Sequence, residues 1–136
     1  MEIQKITIIN FSKPVTKDIN EELQWFGSSL GLFNLRDRDS SCFRIFIELI
    51  KAARLDKGLS SDELAYRLHL SRGTIVHHLK KLRASGLVVL KHSRYQLRAR
   101  TLESMLGEVK KDLERNYMDL KEVAQDIDKK LSFSSQ

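Results

Sequence analysis

Residues Leu59–Arg98 read LSSDELAYRLHLSRGTIVHHLKKLRASGLVVLKHSRYQLR, and the order of elements in this stretch decides the fold. Ser60-x-x-Glu63 is a capping box, in which serine and glutamate satisfy amides that a helix start leaves unpaired. A short helix to about His69 follows, with Leu64, Ala65 and Leu68 facing inward and Ala65 small where a second helix crosses. Leu70-Ser71 makes a turn, and Ser71 can cap a second helix over Arg72–Ala84. Ile75, Leu79 and Leu82, with Val76 in part, give that helix its buried stripe. Arg72, Thr74, His77, His78, Lys80 and Lys81 are then left on its outer face, and Gly86 ends it. Leu87–Leu90 and Tyr95–Leu97 are β-prone runs joined through Lys91–Arg94, the pattern of a tight hairpin.

Two helices joined by a short turn and followed by a two-stranded hairpin make a winged helix-turn-helix. The fold class expected is mainly α (α+β): a winged helix-turn-helix with a two-stranded wing, an N-terminal extension and a long C-terminal dimerisation helix. The stretch SSDELAYRLHLSRGTIVHHLKKLRASGLV resembles the DNA-binding core of the ArsR-like winged-helix transcription regulators, in particular the versions common in archaea. The residues that carry the resemblance run from Leu59 to Arg98, and with the flanking helices it spans residues 38–132. Two departures stand out. His69 occupies a tight turn where such sequences usually have glycine, a place that a left-handed histidine tolerates. The turn at His92-Ser93 is very short, which limits how far the wing reaches into a groove. Several ArsR-like proteins sense metal, through cysteines in the recognition motif or through His and acidic residues on a C-terminal helix. The helix before the turn has no Cys here and the tail has no His, so metal sensing is not carried over. No metal or other cofactor is expected.

Charge is segregated in the same place. The 136-residue chain carries a net charge of +6. From Leu64 to Leu102 there are nine Lys or Arg residues (Arg67, Arg72, Lys80, Lys81, Arg83, Lys91, Arg94, Arg98 and Arg100) and no Asp or Glu, while elsewhere 15 basic residues face 18 acidic ones. His69, His77, His78 and His92, all the histidines of the chain, lie in this stretch too. Such segregation is the electrostatic footprint of a polyanion-binding surface.

The partner expected is double-stranded DNA. A helix over Arg72–Ala84 is slim enough for a major groove about 12 Å wide. Ser71, Arg72 and Thr74 stand at its N-terminal end, where free amides and the helix dipole favour phosphate. Arg72 alternatively reaches guanine O6 and N7 in bidentate fashion. His77 and His78 can donate to phosphates or base edges, and Lys80 and Lys81, with Arg83, extend the line toward backbone phosphates. On the hairpin, Lys91, His92 and Arg94 suit the adjoining backbone or minor groove, although Arg83 equally well lies along the hairpin. Adjacent histidines on a helix point about 100° apart, and no Cys or carboxylate accompanies His77-His78, which argues against a metal site there.

The last helix sets the oligomer. From Thr101 to about Leu131, Leu106, Leu113, Leu120 and Ile127 recur every seven residues, interleaved with Leu102, Val109, Asn116 and Val123. This three-four alternation is a coiled-coil seam over about four heptads. A second copy of the chain is its simplest partner, with packing back on the same chain, through Tyr117 and Met118, as the alternative. Asn116 at a seam position would fix register.

The remaining segments frame this unit. Residues 1–15 hold a strand candidate around Ile6, Ile8 and Ile9–Phe11, ended by Lys13-Pro14. A helix is expected from about Thr16 to Leu32 through Ile19, Leu23, Phe26 and Leu30, with Trp25 beside the stripe. Trp25 and Phe26 read as core before they read as a ligand pocket. Another helix is expected from Asp39 or Ser40 to Leu55, capped by Ser40 or Ser41, with Phe43, Phe46, Ile47, Leu49 and Ile50 on its apolar face and Gly58 in the left-handed position after it. Cys42 reads as a small buried hydrophobe, and as the lone cysteine it excludes an internal disulfide framework. The domains expected are an extension over 1–37, the winged helix-turn-helix over 38–100 and the dimerisation helix over 101–136.

Other classes fit poorly. Apolar runs are too short for a membrane span, and the N-terminus lacks a signal-peptide core, so a cytoplasmic location is expected. No Gly-rich phosphate loop, nucleophile elbow or HExxH occurs, which speaks against an enzyme. The function expected is a dimeric, sequence-specific DNA-binding transcription regulator, with repression the expected outcome although the sequence does not decide between repression and activation. The alternative is a winged-helix module of the transcription or chromatin apparatus that binds protein, or DNA without sequence preference. An effector is not identified, and Met1–Leu35 is the segment most suited to one.

Overall fold

In the computed structural model, residues 4–15, 17–33 and 40–134 are described, with side chains through Ser132. Thr16, Leu35, Asp39 and the expected boundary between residues 37 and 38 lie outside the described residues. Among the described residues the elements are α1 (Ile19–Ser29), α2 (Ser41–Arg54), α3 (Ser61–Leu68), α4 (Arg72–Ala84), β1 (Val88–Lys91), β2 (Arg94–Leu97) and α5 (Leu102–Ser134). The fold is mainly α, with one antiparallel hairpin. The chain divides into two units, residues 1–105 and 106–136.

The core of the first unit follows from helical spacing. Cys42, Ile45, Phe46 and Leu49 of α2, Leu64 and Leu68 of α3, and Ile75, Leu79 and Leu82 of α4 are buried. Leu87, Val88 and Leu97 close this core from the hairpin, and Met105 from the start of α5. On α2 the fully buried row is Ile45, Phe46 and Leu49, while Phe43, Ile47 and Ile50 are half-buried flanks. From α1, Phe26 stacks on Phe46 with ring centroids 6.5 Å apart. Trp25 is half-buried, and its Nε1 donates to the Phe11 carbonyl at 3.4 Å.

Helix ends show how local chemistry fixes the turns. Ser60 accepts from the Glu63 amide at 3.0 Å, as the capping box requires, but the Glu63 carboxylate takes the Ser60 hydroxyl and the Arg94 guanidinium. Ser40 occupies the position before α2 in a left-handed conformation and makes no side-chain cap bond, which corrects the expected serine cap. After α2 the left-handed residue is Asp56 (φ 55°), not Gly58. Asp56 and Lys57 donate their amides to Ala53 and Ala52, so the Schellman closure forms two residues earlier than expected. Gly58 serves a different purpose. A Cβ there would lie 2.8 Å from the Cβ of Arg94, so the chain needs glycine for close passage beside β2.

The hairpin pairs Val88 with Leu97, Val89 with Gln96, Leu90 with Tyr95 and Lys91 with Arg94. His92 and Ser93 form its two-residue loop with φ of 51° and 64°, the paired positive values of a type I′ turn. Leu59 exchanges two backbone bonds with Tyr95, 2.8 and 2.7 Å, which docks the entry to α3 on β2.

The N-terminal segment differs from expectation. Residues 4–14 form neither helix nor strand. Single backbone bonds, Lys5 N–H to Ala84 O at 2.8 Å and Ile9 N–H to Ser29 O at 2.7 Å, tie the segment to two helix ends. A helix end offers at most four free carbonyls set around one turn, and not the straight row of partners that a ladder needs. Ile8, Ile9 and Phe11 stay exposed.

Helix α5 is unbroken for 33 residues and extends past Leu131 to Ser134. Met105, Val109 and Asp112 are buried, and Leu102 and Leu113 are half-buried. From Glu114 to Ser132 every residue is exposed. Asp112 forms an ion pair with Arg115 one turn on.

Candidate nucleic-acid interface

Helices α3 and α4 are joined by a tight turn whose pivot is His69, held at φ 54° and ψ 42°. Arg44 of α2 donates to the Leu68 carbonyl at 2.6 Å, so an arginine from a neighbouring helix closes the end of α3. This contact has no local sequence signature and was not legible. The turn presents Ser71, whose hydroxyl accepts from the Thr74 amide at 3.1 Å and lies 2.8 Å from the Thr74 hydroxyl. Both side chains are thus engaged in building the first turn of α4. The carbonyl of Ser71 takes the Ile75 amide at 3.1 Å, while the amides of Arg72 and Gly73 fall in the turn where a helix supplies no partner. A Cβ at Gly73 would meet nothing within 4 Å, so this corner stands open.

The cationic side chains divide into committed and uncommitted groups. Arg72 is largely exposed and stands 3.7 Å from Asp62, also largely exposed, a contact of little energetic weight that a phosphate can replace. His77, Lys80 and Lys91 are exposed, and Lys80 and Lys91 make no ion pair among the described residues. His78 is half-buried, with its ring 5.2 Å from that of His77. Lys81 is exposed, yet its Nζ donates to the Leu32 carbonyl at 3.1 Å, linking α4 to the segment after α1. Arg94 bonds the Glu63 carboxylate at 2.9 Å and the Gly58 carbonyl at 3.2 Å, so its guanidinium clamps the wing to the start of α3.

The sequence-expected residues therefore fall on two neighbouring places. Ser71, Arg72, Thr74, His77 and Lys80 share α4 or its cap, and Lys91 with His92 lies at the tip of the wing. Lys81 and Arg94 serve intramolecular bonds and hold the two elements in position. Asp62 opposite Arg72 was not singled out from the sequence, and neither was Tyr66, 83% exposed on α3. No group of three or more metal-ligating side chains occurs among the described residues, and none of their helices is long and apolar enough to cross a membrane.

Residues 53–89 match the family model described as "Bacterial regulatory protein, arsR family". The match begins in the last turn of α2 and ends in β1, so it covers α3, the turn and all of α4. Comparisons with curated proteins and with solved structures give no match.

Proposed function

With residues 53–89 an ArsR-type helix-turn-helix, we propose that the chain is a homodimeric, sequence-specific regulator of transcription that binds double-stranded DNA and acts as a repressor in the cytoplasm. The observation that carries this reading is the coincidence of the family match with the acid-free basic stretch. The sequence from Leu64 to Leu102 carries nine Lys or Arg residues and no carboxylate, and Arg72, His77 and Lys80 of this stretch stand exposed on α4. In this reading α4 enters the major groove. Arg72 reads a base edge or a phosphate at its N-terminal end, and Gly73 leaves that corner free of side-chain bulk. Lys80 and His77 neutralise backbone phosphates, and Lys91 and His92 follow the adjoining strand. Ser71 and Thr74 offer the helix start, and His78 flanks it. A second copy, joined through α5, supplies the second recognition helix about one helical turn away. Occupation of the duplex by this dimer blocks transcription.

The test is fluorescence anisotropy on duplex DNA, from a random pool and from sequences selected out of it, between about 50 and 200 mM salt. The logarithm of affinity should fall steeply with the logarithm of salt, as when several phosphates are neutralised. Lys80→Ala should lower that slope by about one for every sequence. Arg72→Ala should cost about 1–3 kcal/mol on the selected site and less on the pool. A selected site should exceed the pool by about 10³-fold or more. Equal affinity for all sequences would instead support a non-specific module, and no binding at the lowest salt would reject the reading.

A further inference from the structure

The geometry points to a second anion site, at the root of the wing, that takes a phosphate-type oxyanion. Between the end of α2 and the hairpin lies a recess of about 180 Å³. Asp56 and Lys57 border it from the turn after α2, Lys91 and Gln96 from the two strands, and Arg98 and Arg100 from the segment that follows. Four cations thus converge on one concavity against a single carboxylate. Elsewhere in this unit the arginines Arg67, Arg72 and Arg94 each face a carboxylate. Lys57 and Lys91 have no such partner among the described residues. Like charges gathered in a recess repel one another, and an oxyanion seated among them relieves that repulsion.

Two features prepare the recess for such a ligand. Arg100 is oriented by donating to the Arg54 carbonyl at 3.3 Å. The backbone at Arg98 is held by the hydrogen bond that its N–H donates to the Leu87 carbonyl at 2.9 Å. Guanidinium forks match the paired oxygens of an oxyanion, and the Gln96 amide adds neutral donors. Size restricts the ligand. At about 180 Å³ the recess is below the roughly 300–1,000 Å³ of sites for larger ligands. It therefore suits one phosphate or diphosphate group. That group belongs either to a free small molecule or to a duplex backbone that continues past the wing.

Isothermal titration with pyrophosphate, at ionic strength matched with chloride, tests the site on the free full-length protein. Saturable binding is expected, weakened at least ten-fold in Lys57→Gln/Arg100→Gln and unchanged in Lys51→Gln, whose lysine lies outside the recess. Thermal unfolding of the double variant at the wild-type midpoint shows that its fold is intact. The salt dependence of duplex binding then identifies the source. A wild-type slope in the double variant means a free phosphate compound. A slope lower by about two, at about 0.9 per phosphate, with pyrophosphate displacing the duplex, means backbone phosphate. No saturable heat from pyrophosphate at matched ionic strength, or equal binding by the folded double variant, overturns the assignment. Because pyrophosphate is titrated without DNA, the result is independent of whether α4 reads a groove.

Discussion

His69 illustrates what one residue costs at a turn on which the helix-turn-helix depends. Its φ of 54° and ψ of 42° are left-handed, a conformation that disfavours a side chain by about 1–2 kcal/mol relative to glycine. The imidazole is exposed and makes no hydrogen bond or ion pair among the described residues that would offset this cost. Glycine relieves the strain but adds about 0.4–1 kcal/mol of unfolded-state entropy. His69→Gly should therefore stabilise the first unit by about 0.5–1 kcal/mol, seen as a melting midpoint a few degrees higher with unchanged duplex affinity. A lower midpoint would mean that the histidine makes a stabilising contact. The position was legible in the sequence because the resemblance places glycine there. Asp56 was not legible for the opposite reason: Gly58, two residues on, satisfies the local rule for a left-handed cap better than aspartate does. Only the approach of Arg94 to within 2.8 Å of a Cβ at Gly58 explains why the glycine stands where it does.

At the scale of elements, the sequence told helices α2 to α4 and the hairpin to within a few residues, because apolar spacing, a serine cap and turn residues all agree there. What it left hidden were the bonds between elements. The charge of Arg94 and its place on the wing suggest a DNA contact, and the structure also engages it with Glu63 and Gly58. The capping box thus fixes the helix start and, through the same carboxylate, the wing. Arg94→Ala should cost about 1 kcal/mol of stability, since the pair is partly exposed. Arg94→Lys should recover only part, because one nitrogen, Nη1, makes both bonds and the shorter lysine stem sets its ammonium less well between the two oxygens. Thermal unfolding reads the cost. Amide exchange at Tyr95, whose N–H bonds the Leu59 carbonyl at 2.7 Å, should quicken in the alanine variant if the clamp holds this junction. Unchanged exchange would leave Arg94 as a DNA contact alone. The N-terminal segment failed for a related reason. Alternating isoleucines suggest a strand, but a strand needs a partner edge, and in the described residues the segment meets helix ends instead.

For the whole molecule, the heptad pattern and the burial of α5 together decide which part of the seam is available to a partner. Val109 is buried and Leu102 and Leu113 are half-buried, whereas Leu106 is 40% exposed. Beyond them Leu120 (70%), Val123 (57%), Ile127 (49%) and Leu131 (61%) leave an apolar row in water, with Asn116 among them. At about 1.5–3 kcal/mol for each large side chain fully removed from water, pairing of this row is the gain on which the proposed homodimer depends. Leu120→Asp with Ile127→Asp tests this pairing, because both residues are exposed and neither contributes to the core of the first unit. The double variant should sediment at half the wild-type mass while the first unit unfolds at its wild-type midpoint. Its affinity for a selected palindromic site should drop at least 100-fold, because each recognition helix must then bind alone without the gain of a linked second contact, about 10²–10⁴. Non-specific binding at low salt should survive, since the basic face of α4 is intact in each copy. A wild-type chain that sediments as a monomer, or a monomeric variant that keeps full affinity for the selected site, would separate the seam from DNA recognition and leave α5 for a partner of another kind.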